Sequence, residues 1–135
     1  MAIDSESRIL IIDDFEMLLI AMRKALENLG FKNIAQAEDG TTAWQMIESA
    51  KNNGEPYALI FSDWTMPEMS GMDLFRKIKI DNAIKTTPFV MVTAESEKKN
   101  VMSALSEGVT EYIVKPCTIE SLEKKITIIN KKLEK

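Results

Sequence analysis

Short apolar runs punctuate the chain at residues 9–12, 34–37, 59–61, 89–92 and 112–114. Within most of them apolarity is continuous rather than alternating, which predicts strands buried on both faces, as in a parallel sheet covered by helices. Between the runs the period lengthens. Leu18, Ala21, Met22, Ala25, Leu26 and Leu29 recur at helical spacing and stop before Gly30, a residue suited to a helix end. Ala43, Met46, Ile47 and Ala50 predict a second helix, closed by the loop chemistry of Asn53-Gly54-Glu55-Pro56. Leu74, Phe75 and Ile78 mark a third, and Met102 and Leu105 before Gly108 a fourth. Leu122, Ile126, Ile129 and Leu133 mark a fifth, with Thr118 as its N-cap. Strict strand–helix alternation predicts an α/β domain with a parallel sheet and right-handed crossovers. No Gly-, Ser- or Pro-rich linker and no internal repeat interrupts it, so one domain over 1–135, with its core at 8–133, is expected.

In an open α/β sheet, ligands sit outside the carboxyl ends of the strands, so the residues that follow each apolar run carry the chemistry. The first run is followed by Asp13-Asp14, the third by Ser62-Asp63, the fourth by Thr93-Ala94-Glu95 and the fifth by Lys115-Pro116. Three carboxylates, a hydroxyl and an ammonium would then converge. The aspartates carry −3 and Lys115 +1, and the excess negative charge calls for a cation. An all-oxygen donor set suits Mg²⁺, or Mn²⁺, which binds through one or two carboxylates together with a phosphate. With the charge shielded, an aspartate can attack phosphorus and form an acyl phosphate. Thr93 and Lys115 would hold the transferred oxygens. Lys115 has no partner nearby in sequence and needs one across the sheet.

Composition narrows the chemistry further. The chain has 17 Lys and Arg against 21 Asp and Glu, a net charge of −4, and no histidine. Without histidine there is no Ser-His-Asp or Cys-His arrangement, no imidazole zinc site and no phosphohistidine on this chain. The single Cys117 forms no internal disulfide, and a reducing cytoplasm is expected. An acidic surface disfavours nucleic acid. The N-terminus has no signal-like segment and no run long enough to span a bilayer, so a soluble protein is expected.

The segments ILIIDDFEML, LGFKNIAQAEDG, SDWTMPEMSGMDLF, TPFVMVTAES and EYIVKPCT resemble the receiver domain of two-component response regulators, from Arg8 to Leu133. They look most like the stand-alone chemotaxis receivers. The resemblance implies a flavodoxin-like (βα)5 three-layer sandwich with sheet order 2-1-3-4-5 and no output domain. It implies that Asp63 accepts a phosphoryl group from a histidine kinase, and that Mg²⁺ is held directly by Asp14, Asp63 and the carbonyl of Thr65, and by Asp13 mainly through water. It implies that Lys115 and Thr93 contact the phosphoryl group, that Tyr112 moves with Thr93 as a switch, and that the bond before Pro116 is cis. The face of the fourth helix, fifth strand and fifth helix would bind an effector such as a flagellar motor switch protein, through Lys98, Val101, Leu105, Tyr112, Val114 and Lys125.

Two departures from the chemotaxis receivers stand out. Thr65 replaces their asparagine two positions after the acceptor, and Cys117 replaces the aromatic usual after Lys-Pro. Thr65, and Glu95 two after Thr93, would tune dephosphorylation and recognition by a phosphatase. A monomer is expected, acting as a switch rather than a turnover enzyme. Two alternatives remain open: a phosphorelay intermediate, and a Mg²⁺-dependent phosphohydrolase working through an aspartyl phosphate. A flavin carrier is disfavoured because Asp13-Asp14-Phe15-Glu16 would repel a phosphate, and no P-loop string occurs.

Overall fold

The β-branched and leucine-rich runs form strands, and the helical stripes between them cover both faces of the sheet they build. The computed structural model describes residues 2–134, apart from the side chain of Glu95. In chain order the elements are β1 (Arg8–Ile12), α1 (Glu16–Asn28), β2 (Asn33–Ala37), α2 (Gly40–Asn52), β3 (Leu59–Asp63) and α3 (Gly71–Lys79), then β4 (Phe89–Thr93), a 3-10 turn (Glu95–Asn100), α4 (Val101–Glu107), β5 (Glu111–Val114) and α5 (Ile119–Leu133). All strands are parallel, in the order β2-β1-β3-β4-β5. This is the flavodoxin-like (βα)5 sandwich.

The period-2 pleat sends neighbouring strand residues into opposite layers. Ile9 and Ile11 of β1 and Leu59 and Phe61 of β3 pack with Leu19, Met22 and Leu26 of α1 and Leu122, Ile126 and Ile129 of α5. Leu10, Ile12, Ile60 and Met91 pack the other way, with Ala43 and Ile47 of α2, Leu74 and Phe75 of α3 and Ala104 of α4. Fully burying one such aliphatic side chain contributes about 1.5–3 kcal/mol.

Several expectations need correction. Burial on both faces holds for β3 and β4, but β2 and β5 are sheet edges and are only half-covered. In α1 the buried stripe is Leu19, Met22, Ala25 and Leu26, while Ala21 faces solvent and Leu18 is half-buried. In α4 the buried residues are Val101 and Ala104, and Met102 is 74% exposed. The apolar spacing located each helix, but tertiary packing set which side turned inward. Helix ends follow local chemistry. Ser70 and Thr118 cap α3 and α5 through reciprocal capping boxes, and α4 ends at Gly108 in the left-handed conformation, φ 114°. No helix among the described residues is long and apolar enough to cross a membrane.

Candidate functional site

The chain enters the sheet at β1, builds β2 to one side and then crosses to β3 on the other, so the strand order reverses between β1 and β3. Such a reversal opens a crevice at the carboxyl ends of the strands. Asp13 follows β1 there and Asp63 ends β3. Their carboxylates and that of Asp14 lie with one oxygen each within 4.8 Å of one another. Asp13 and Asp63 are 1% and 5% exposed, whereas Asp14 stands at the mouth, exposed.

Lys115, on the loop after β5, reaches back across the sheet. Its Nζ lies 3.1 Å from Asp63 Oδ1 and 3.3 Å from Asp13 Oδ2. The partner that its sequence context demanded is thus two carboxylates. The Lys115–Pro116 bond is cis. Asp13 Oδ1 also accepts the Phe15 N–H at 2.8 Å, holding the turn into α1, and Asp63 Oδ1 accepts the Trp64 N–H at 2.9 Å.

Burial, helped by the charge of Asp14 at Asp13 and by that of Asp13 at Asp63, pushes both carboxyls above the usual range in spite of Lys115 and the backbone donors. Burial alone would lower the Lys115 ammonium, but the hydrogen bond to Asp63 and the two negative charges outweigh it and raise it. Among the described residues, Asp13 Oδ2 is the buried side-chain oxygen that receives no hydrogen bond; Lys115 Nζ is close but poorly aligned. An orphaned acceptor aimed into a cluster of hard oxygen donors fits a divalent cation of the Mg²⁺ type.

Thr93, 0% exposed at the end of β4, turns its hydroxyl to Ala94 O at 3.1 Å. Thr65 is exposed and donates its hydroxyl to Glu97 Oε2 at 2.5 Å. The Glu95 side chain lies outside the described residues. Tyr112 on β5 is half-buried, its ring covered by Lys125 Nζ at 4.4 Å, and Lys125 in turn pairs with Glu111 Oε1 at 2.8 Å. Of the other residues on that face, Lys98 is exposed, Leu105 and Val114 are half-buried, and Val101 is buried against the core and presents little surface. Burial pushes the Cys117 thiol up to about 11, which keeps it protonated and unreactive at neutral pH.

Sequence reading missed three contributors. Glu97 bonds a residue 32 positions away, and no local pattern announces such a pair. Glu111 anchors Lys125 beside the tyrosine. Gly71 lies so close to β3 that a Cβ there would sit 2.4 Å from Asp63 O and 2.9 Å from Met91 Sδ. A glycine at the start of an amphipathic helix was the available signal.

Comparison with known proteins gives a consistent result. The response regulator receiver domain family matches residues 9–127. The chemotaxis protein CheY of Pseudomonas aeruginosa is 40% identical over 119 residues, spanning 88% of this chain and 92% of its own length. Chemotaxis protein CheY1 of Helicobacter pylori is 37% identical over 122 residues, spanning 90% and 95%. Among solved structures, the chemotaxis response regulator CheY4 of Vibrio cholerae superposes with a TM-score of 0.80 at 25% identity, covering 92% of this chain and 98% of that one. A receiver domain protein from Clostridium thermocellum gives a TM-score of 0.80 at 29% identity, covering 96% and 99%.

Proposed function

The chain belongs to the response regulator receiver family, and on that premise we propose that it is a phosphorylation-driven switch of a chemotaxis-type two-component pathway, with Asp63 as the phosphoacceptor. The observation that carries this reading is the sharing of Lys115 between two buried carboxylates at the reversal of the strand order. In the proposed step, an Asp63 carboxylate oxygen attacks the phosphorus of a phosphohistidine on a histidine kinase. The P–N bond breaks as the P–O bond forms, the imidazole leaves, and an acyl phosphate remains.

Asp13, Asp14, Asp63 and the Thr65 carbonyl would hold Mg²⁺, which when bound neutralises the carboxylates and the incoming phosphoryl oxygens. Lys115 already lies within reach of the acceptor and would bind a phosphoryl oxygen. Thr93 would release Ala94 O and turn its hydroxyl to a second one, and Tyr112 would reorient into the space vacated. The face carrying Lys98, Leu105, Tyr112, Val114 and Lys125 would then present a changed surface to an effector, a flagellar motor switch protein being the candidate its chemotaxis relatives suggest. Val101 belongs to that face only if α4 moves. Thr65, with its hydroxyl engaged, would govern hydrolysis of the acyl phosphate and the access of a phosphatase. The protein would work as a monomer in the cytoplasm, cycling between two states and returning to the first when hydrolysis releases inorganic phosphate.

The test uses Trp64, whose backbone N–H bonds Asp63. Trp44, the second tryptophan, is first replaced by Phe to leave one reporter. Mg²⁺ and then beryllofluoride, a phosphoryl mimic, are titrated in. A second fluorescence step in this protein that is absent in its Asp63→Asn variant supports the reading. No second step in the parent would show a receiver that does not take phosphate at this site.

A further inference from the structure

Thr65 lies on the loop that follows β3 and Thr93 ends β4, and one carboxylate joins Thr65 to the residue after Thr93. Glu97 Oε2 accepts the Thr65 hydroxyl at 2.5 Å, while Oε1 accepts the Ala94 N–H at 3.3 Å. Ala94 O, in turn, accepts the Thr93 hydroxyl at 3.1 Å and the Glu97 N–H at 2.9 Å. A continuous path of hydrogen bonds therefore runs from Thr65 through Glu97 and Ala94 to Thr93. Among the described residues, the Thr65–Glu97 bond is the hydrogen bond that ties the 3-10 turn to another element. The turn is otherwise poorly anchored, since Ser96, Lys98, Lys99 and Asn100 are all exposed.

A hydroxyl donates one proton to one acceptor at a time. Thr93 can serve a phosphoryl oxygen on Asp63 only by giving up Ala94 O. Thr93 is 0% exposed, and its hydroxyl is held by the backbone carbonyl of the residue that follows it. That backbone is the segment Glu97 clasps from both sides.

We propose that Glu97 is a positioning residue that latches the unphosphorylated state, holding Thr65 and the residue after Thr93 together and so opposing the turn of Thr93 towards the acceptor. The inference rests on Asp63 being the acceptor. It assigns the control of Thr65 to Glu97, four positions after Thr93. A ligand that favours one of two states binds more tightly when the other state loses a stabilising contact.

The test is a double-mutant cycle read by beryllofluoride affinity at saturating Mg²⁺, with wild type, Glu97→Ala, Thr65→Val and the double variant. Hydrogen bonds to charged groups have a substantial net value, reduced here by solvent exposure, so each single variant is expected to bind the mimic about threefold to tenfold more tightly. The double variant is expected to match either single one, because both cut the same link. Mg²⁺ affinity of Glu97→Ala without the mimic is expected within about twofold of wild type, since Glu97 is not among the metal-binding candidates. A general loosening of the loop would not separate the two affinities in that way. Glu97→Gln, which keeps the side-chain volume, is run beside Glu97→Ala, and thermal melts confirm that both fold. Unchanged or weaker mimic affinity in the variants, or additive effects in the double one, overturns the latch alone. A wild-type protein that takes up no beryllofluoride overturns the acceptor assignment and the latch together.

Discussion

Lys115 Nζ stands 3.1 Å from Asp63 Oδ1 and, at 3.3 Å, near Asp13 Oδ2, one ammonium for two buried carboxylates, one ending β3 and one just after β1. Its side chain keeps 29% of its surface, so the pair is partly solvated. Removing the ammonium leaves two buried charges without compensation, the costly way to break an ion pair. We expect Lys115→Met to lower the stability of the metal-free protein by about 1–3 kcal/mol, with partial open-site screening keeping it below the fully buried case. Mg²⁺ should recover much of the loss. Thermal melts of both proteins with and without Mg²⁺ check this; a variant that melts like wild type without metal would show that Lys115 does not stabilise the acid pair.

The raised carboxyls of Asp13 and Asp63 have a definite pH signature. A group whose pKa is higher folded than unfolded binds more protons in the native state, so its contribution to stability falls as pH rises between the two values. Asp13 and Asp63 therefore favour the metal-free fold at mildly acid pH and weaken it towards neutrality. Glu111 runs the opposite way: burial would raise it, but its bonds to Lys125 and Lys132 hold it below the usual carboxylate range. Its contribution is present at neutral pH and is lost on acidification. Asp63→Asn should reduce the first trend to the part that Asp13 contributes and raise the midpoint of the metal-free protein by about 3–5 °C near neutral pH, the shift expected of ~1 kcal/mol in a domain of this size. Proton competition should weaken Mg²⁺ binding on acidification in the wild type, and less steeply in Asp63→Asn, where Asp13 remains to be protonated. Melts and Mg²⁺ titrations across that range decide it.

Gly71 supplies a steric test. Its N–H donates to Trp64 O at 2.8 Å, and a Cβ would meet Asp63 O at 2.4 Å. Real Cβ atoms do not approach a carbonyl oxygen so closely, and the obstacle is backbone rather than a side chain that can turn aside. Gly71→Ala must therefore displace either α3 or the end of β3. We expect a loss of about 2 kcal/mol or more, of the order of other strain and overpacking effects, together with weaker beryllofluoride binding because Asp63 itself shifts. Wild-type stability in this variant would mean that the loop after β3 relaxes freely.

The elements and the acid cluster were legible because each depends on local pattern. Residues 9–12 are apolar and Asp13-Asp14 follow at once, so both the strand and its carboxylates are written within six positions. Thr118 as a helix cap was equally local. The phase of a helix is less so: Leu18 and Leu19 are equivalent to a periodicity, yet Leu19 is 0% exposed because the sheet lies on its side. Met102 misled for the same reason. Edge strands depend on sheet order, which no single strand encodes. Glu97 was invisible because its meaning arises only when residues 32 apart are brought together by β3 and β4 lying side by side.

Lys125 connects the site's far side to the tyrosine. Its Nζ sits 4.4 Å from the Tyr112 ring centroid and 2.8 Å from Glu111 Oε1, and Lys132 adds a second contact to Glu111 at 3.3 Å. Glu111 thus holds the ammonium over the ring, and a cation over an aromatic face contributes about 0.5–1 kcal/mol at a partly exposed position. Glu111→Gln keeps the shape but gives up the charge that fixes Lys125. The expected cost in stability is small, about 0.5–1 kcal/mol, as for other partly exposed ion pairs. The larger effect should fall on Tyr112, whose ring loses its cover and gains freedom to rotate. Ring-proton or fluorotyrosine NMR of Tyr112 should show a shifted, exchange-averaged signal in Glu111→Gln, and Lys125→Met should reproduce it. If both variants leave the Tyr112 signal where it is in the wild type, the lysine rests on the ring without holding it, and the orientation of Tyr112 is set by β5 alone.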